Sequence, residues 1–281
     1  MIDQSSASSV IRIRNWGRGY VRRHPVASLD TVGAQFILGV RAVQYLVIDI
    51  VTGRFAFQEF VRQAAFMIKT SYLPTVAVAL PISATLSIQF GLIAGQVGAT
   101  SLAGAASGLA VIRQAAPVVT AMLLAAAVGS AICADLGSRT IREEIDALEV
   151  MGVSVLRKLV VPRVAAGVLV AVGLTGLSAF VGFLAGYMFN VYVQGGTPGS
   201  FIATFSSFAR IGDMYLAVVK AVVFGLIVTV VACQKGLSTK GGPGGVANSV
   251  NATVVASIVL LMVVNVGFTQ MYTMLFPRQA L

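Results

Sequence analysis

Apolar residues run along this chain in long uninterrupted stretches, and charged residues mark their ends. Between Lys69 and Arg113 lie 43 residues without a charge, between Arg113 and Asp135 another 21, between Arg163 and Arg210 another 46, and between Lys240 and Arg278 another 37. A helix crosses the hydrocarbon of a bilayer with about 20 residues. The pattern therefore predicts five spanning helices, near 68–95, 113–135, 160–190, 213–234 and 250–275. Lys220 falls inside the fourth, where a cation costs about 3 kcal/mol at mid-bilayer. Its place near one end of that span predicts that it snorkels to water.

Ahead of the first span, Phe36, Val40, Val43, Val47 and Ile50 recur at helical spacing, with Arg41, Gln44 and Asp49 on other faces. This predicts an amphipathic helix within 31–60 that lies in the inner membrane interface; an ordinary helix packed under the spans is the alternative. Between the second and third spans the pattern inverts. Six of the eleven residues from Arg139 to Glu149 are ionisable: Arg139, Arg142, Glu143, Glu144, Asp146 and Glu149. Placing them in hydrocarbon would cost on the order of 15–20 kcal/mol, so the segment belongs in water. Read as a helix, it gathers Ile141, Ile145 and Leu148 on one face, with Ser138 and Thr140 as caps. Such a helix either docks into a groove of a cytoplasmic partner or only fixes topology.

Composition sharpens the class. With 57% hydrophobic and 11% charged residues in 281, the chain has more apolar surface than one soluble core of this size can bury. The expected fold is an all-α integral membrane protein: a basic tail over 1–30, the interfacial helix over 31–60, and a five-span domain over 61–281. The net charge of +10 reflects sidedness rather than nucleic-acid binding. With the N-terminus inside, sixteen Lys and Arg fall in inner segments, and Arg113, Arg210 and Arg278 in outer ones. The C-terminus is then extracytoplasmic, and the protein a multi-pass component of the inner (plasma) membrane. The tail's Arg12, Arg14, Arg18, Arg22 and Arg23 precede no compact apolar run with a cleavage site, so the tail is expected to stay. Cys133, Cys233 and the lone His24 offer no metal or disulfide pattern. Three G-x-x-x-G pairs, Gly91/Gly95, Gly104/Gly108 and Gly182/Gly186, predict close helix packing.

The runs Ala134-Asp135-Leu136-Gly137, Glu143-Glu144-Ile145-Asp146-Ala147-Leu148-Glu149-Val150-Met151-Gly152 and Leu159-Val160-Val161-Pro162-Arg163 closely resemble the signature of the MlaE/YrbE permease family, the membrane subunits of ABC lipid transporters that work with MCE proteins. Weaker similarity at Gln89-Phe90-Gly91, Arg113 to Pro117 and Gly236 to Gly245 extends the resemblance over roughly 30–275. It implies that segment 141–152 is a coupling helix, with Glu143, Glu144, Ile145, Asp146, Ala147, Leu148, Met151 and Gly152 entering a cleft of an ABC ATPase dimer, which would bind ATP and Mg. It also implies a second permease chain, an MCE-protein hexamer on the outer side, and lipid passing between the permeases. Where the family commonly has a carboxylate and an arginine, this chain has Gln114 and Ala127. That departure resembles one half of a non-identical pair, the B-type YrbE of mycobacterial Mce systems.

The chain's own chemistry is sparse. The glycines from Lys240 to Gly245 lack the order of a phosphate-binding loop, and one histidine in a tail builds no nucleophilic set. No enzyme activity and no resident cofactor or metal is expected; ATP is hydrolysed by another chain. Candidates for the lipid path are Gln89, Phe90, Arg113 and Gln114, with interfacial anchoring and helix–helix hydrogen bonding as the plain alternatives. Phe201, Phe205 and Phe208 in the outer loop are candidates for contact with the MCE ring, with an ordinary interfacial loop as the alternative. The expected function is ATP-driven lipid transport, with import of fatty-acid-like cargo. An ion-coupled secondary transporter, which usually carries intramembrane acids and internal repeats, and a non-transporting scaffold are the alternatives.

Overall fold

A computed structural model describes residues 32–53, 55–96, 98 and 102–275; the basic tail expected over 1–30 lies outside them. The described residues form helices and connecting turns, with no strand among them. In chain order these are α1 (Val32–Val51), α2 (Phe57–Gln96), α3 (103–141), α4 (Glu144–Val150), α5 (Leu156–Tyr192), α6 (Pro198–Phe208), α7 (Ile211–Leu237) and α8 (Gly242–Leu275).

Six helices among the described residues are long and apolar enough to cross a membrane. The five expected spans fall within α2, α3, α5, α7 and α8; the first four of these helices run past both expected edges, and α8 starts earlier than expected and ends at the expected residue. The sixth is α1, expected to lie in the interface. α2 is 40 residues long, about 60 Å at 1.5 Å per residue, so its first turns continue well beyond the length a span requires.

α3 and α7 form the centre. Leu124, Val128, Ile132 and Leu136 repeat every four residues along α3 and are almost fully buried, as are Phe224 and Val228 of α7 and Val160 and Val164 of α5. α2 packs most extensively on α5, and α8 on α3 and α7. Large side chains point outward instead from the peripheral helices, among them Leu73, Leu80 and Leu92 of α2, Phe180 of α5, and Val259, Val263 and Val266 of α8. An apolar belt of this kind is what a chain solvated by lipid requires.

Three turns are π-helical: Val111–Ala115, Leu124–Gly129 and Leu156–Val160. The first and third each end two residues before a proline, Pro117 and Pro162. A proline gives no N–H to the carbonyl four residues back, and a widened turn adjusts the ladder ahead of it.

α1 turns the opposite face to the protein from the one its apolar stripe occupies. Gln35, Ala42 and Asp49 are buried, while Phe36, Val40, Val43, Val47 and Ile50 stay exposed. Asp49 does not project into solvent; it pairs with Arg157 at 3.7 Å.

Lys and Arg gather at one end of the bundle, which holds α4, the end of α3, the start of α5 and the end of α7. Arg62 at the start of α2 joins Arg139 and Arg163 there in one pocket. Thr140 at the end of α3 bonds the carbonyl of Gly236 at the end of α7, 3.3 Å away. Arg113, Arg210 and Asp213 mark the far end.

Candidate functional site

The ionic segment forms a helix shorter than expected, Glu144–Val150 rather than 141–152. Ile141 closes α3, and Arg142 and Glu143 make the turn. Glu143 occupies the left-handed region at φ 59°, a conformation that costs a non-glycine residue about 1 kcal/mol or more. Ser138 and Thr140 do not cap α4. Their hydroxyls donate to the carbonyls of Asp135 (2.9 Å) and Leu136 (2.9 Å) within α3.

The far end of α4 is closed by its backbone. Val153 N–H donates to Leu148 O at 3.0 Å and Gly152 N–H to Glu149 O at 2.9 Å, the pair of bonds that ends a helix when the residue after the cap is left-handed. Gly152 supplies that residue, at φ 74°. Ile145 is buried and Leu148 half-buried, so the expected apolar face points into the bundle. What faces outward is mixed: Glu143, Asp146 and Glu149, with Ala147, Val150 (88% exposed) and Met151 (67% exposed). Glu144 is held sideways by Arg142 at 3.1 Å. Acids around two exposed apolar tips suit a basic groove with an apolar floor.

Behind α4, Arg157 ties the start of α5 to α1. Its guanidinium lies 4.8 Å from the centroid of the Tyr45 ring and 3.7 Å from the Asp49 carboxylate. The backbone following the ionic helix is thereby joined to α1.

At the far end, two charge groups join α3, α7 and α8. Arg113 pairs with Asp213 at 2.6 Å. Asp213 also accepts from the Tyr272 hydroxyl at 3.0 Å and from the backbone N–H of Arg210 at 3.1 Å, capping α7. Lys220 is wholly buried and does not snorkel. Its ammonium donates to Thr269 Oγ1 (2.9 Å), Gln114 Oε1 (3.0 Å) and the carbonyl of Arg113 (3.3 Å). That carbonyl is the one Pro117, four residues on, cannot serve. Three acceptors match the three donors of an ammonium, which makes an apolar helix able to carry it.

Arg113 and Gln114 thus belong to two neighbouring polar groups, Arg113 half-buried on Asp213 and Gln114 exposed over the buried Lys220. Gln89 and Phe90 stand apart from them on α2, Gln89 exposed and Phe90 partly buried. Of the three phenylalanines expected to meet the MCE ring, Phe201 is 2% exposed and Phe208 44%. Phe201 meets Phe183 and Tyr187 edge to face, and Phe205 packs at a tilt on Phe183 with centroids 4.7 Å apart. Phe201 is thus taken up within the chain, Phe205 remains partly exposed, and Phe208 is the most exposed of the three.

The seat for these rings is the Gly104/Gly108 pair. A Cβ on either glycine would lie 2.7 Å from the Phe201 or Phe205 ring. Gly182 likewise lies close against Ser83 and Val111, whereas Gly95 faces open space.

Sequence reasoning missed Asp213, Tyr272 and Thr269, and misread Lys220. Two signals were available. Asp213 stands three residues after Arg210, at the third position of a helix start, and Pro117 stands four residues after Arg113.

The fold and these sites define a helical protein with six helices long and apolar enough to cross a membrane among the described residues, and with charged elements at both ends of one helix bundle. The chain matches the family described as Permease MlaE over residues 60–271, and it belongs to that family of ABC transporter permeases. It is 36% identical over 168 residues to a protein of Synechocystis named "Probable ABC transporter permease protein", covering 60% of this chain and 64% of that one. A protein of the same name from Rickettsia bellii is 27% identical over 201 residues, covering 71% of this chain and 78% of that one. The Arabidopsis thaliana protein TRIGALACTOSYLDIACYLGLYCEROL 1, chloroplastic, is 32% identical over 178 residues, covering 63% of this chain and 51% of that one. The chain therefore spans less than two thirds of the length of the Synechocystis and Arabidopsis relatives.

Proposed function

We propose that the chain is one permease subunit of an ATP-driven lipid transporter, powered in trans by a cytoplasmic ABC ATPase dimer that binds ATP and Mg. α4 enters a cleft of that ATPase. A second, non-identical permease completes the membrane unit, as in mycobacterial YrbE pairs, and an MCE-protein hexamer stands on the outer side, with Phe208 at the contact. Fatty-acid-like lipids pass inward between the two permeases, near Arg113 and Gln114. In this reading α1 lies in the inner interface and five helices span the inner membrane, with the α4 end cytoplasmic and the C-terminus outside.

The observation that supports the reading most is the outward surface of α4: exposed acids around Val150 and Met151, on a helix anchored inward by Ile145. The gathering of Lys and Arg at that end favours it as the inner one. The exposed apolar stripe of α1 opposite its buried Asp49 suits a helix with one side toward lipid. The test is to purify the chain from its native membrane with its partners and identify the subunits and bound lipid by mass spectrometry. An ABC ATPase, a second permease and an acyl lipid are expected; a complex without an ATPase would contradict the reading.

A further inference from the structure

At the α4 end, on the side where α2, α3 and α5 meet, a cavity of about 360 Å³ is walled by Phe66 and Ile132 and rimmed by Arg62, Asp135, Arg139 and Arg163. Its charge does not balance. Arg163, 1% exposed, donates to Asp135 Oδ2 at 2.5 Å and to Leu159 O at 3.4 Å. Arg139 Nε donates to Asp135 Oδ1 at 3.1 Å. One carboxylate is thus shared between two guanidiniums. The third, Arg62, is mostly exposed and among the described residues pairs with Glu59, at 3.7 Å, which also accepts from the amide of Gln63 at 2.8 Å. Three guanidiniums face two carboxylates, which leaves one positive charge at the mouth of a pocket whose walls are apolar.

We propose that this pocket is a resident site for an anionic phospholipid of the leaflet on the α4 side. The phosphodiester lies between Arg62 and Arg139, and an acyl chain rests against Phe66 and Ile132. Arginine forks match phosphate oxygens, and basic pockets between membrane helices on the cytoplasmic side are a recurrent way to hold such headgroups. The site is separate from Arg113 and Gln114 at the opposite end and stands whether or not the chain carries lipid as cargo. The combination on the page favours a lipid over a free anion, because a cation rim alone would serve phosphate, whereas the exposed Phe66 beside it offers surface only an acyl chain uses.

The test uses the full-length chain in nanodiscs of mixed phosphatidylglycerol and phosphatidylcholine, with retained lipid counted by native mass spectrometry. Wild type is expected to retain phosphatidylglycerol over phosphatidylcholine by about tenfold, the size of one charge-assisted contact. Arg62→Gln with Arg139→Gln should abolish the preference, and Arg62→Lys with Arg139→Lys should keep most of it. Arg163 and Asp135 stay untouched, so the buried Arg163 keeps its carboxylate partner. Inorganic phosphate added in competition should not displace the lipid. Equal retention of the two lipids by wild type, a preference indifferent to the glutamine variants, or displacement by inorganic phosphate would each overturn the proposal. So would loss of the bound phosphatidylglycerol when the same measurement is made on the assembled complex.

Discussion

Lys220 of α7 and Gln114 of α3 meet across the helix interface at 3.0 Å, and Gln114 is one of three acceptors that hold a fully buried ammonium. A glutamine serves here because its amide oxygen satisfies the cation without adding a charge. Gln114→Leu removes one acceptor and leaves a donor of Lys220 unmet, at a cost of about 1–3 kcal/mol. Lys220→Met removes the charge and keeps the volume, and should cost less. Thermal unfolding of both variants in detergent checks the order; a larger loss for Lys220→Met would contradict it.

Asp213 holds Arg113, Tyr272 and the start of α7 at once. Asp213→Ala leaves the guanidinium facing no carboxylate, and about 3 kcal/mol of stability should go, the lower part of the range for buried pairs because the Arg113 side chain keeps 23% exposure. Asp213→Asn combined with Arg113→Met keeps the cap and deletes both charges. It should unfold at a higher temperature than Asp213→Ala alone.

Arg157 is the link from the backbone after α4 to α1. Arg157→Ala removes both the stacking on Tyr45 and the partner of the buried Asp49. Hydrogen exchange over 32–51 should speed up, with little change in α8. Arg157→Lys keeps a charge for Asp49 but not the planar stack, and should fall between the two.

Gly152 carries the left-handed cap of α4. Gly152→Ala should cost about 1 kcal/mol locally, seen as faster exchange of the α4 amides. Glu143→Gly should slow that exchange, because it relieves a left-handed non-glycine residue at the other end of the same helix.

Much of the bundle was legible because the bilayer reduces the problem to one dimension. Charge-free runs placed α2, α3, α5, α7 and α8, and the ionic density of 139–149 placed a polar element between two spans. What a linear reading missed is contact between helices. Lys220 looked like a cation needing water because its acceptors, Gln114 and Thr269, lie on other helices. Phe201 and Phe205 looked available because their seat, Gly104 and Gly108, is about a hundred residues away. α1 showed its apolar stripe plainly, but not that Asp49 on the other face had a partner in Arg157. The start of α4 was misjudged since Glu143 adopts a backbone conformation that its side chain does not announce.

The most direct measurement of the central claim is ATPase association and ATP-driven lipid transfer by the purified complex carrying Asp146→Lys and Met151→Asp. Both side chains are exposed, so the permease should keep its unfolding temperature, as surface changes usually do. The account predicts that the ATPase is lost or its hydrolysis no longer moves lipid. Full association with undiminished transfer would contradict it.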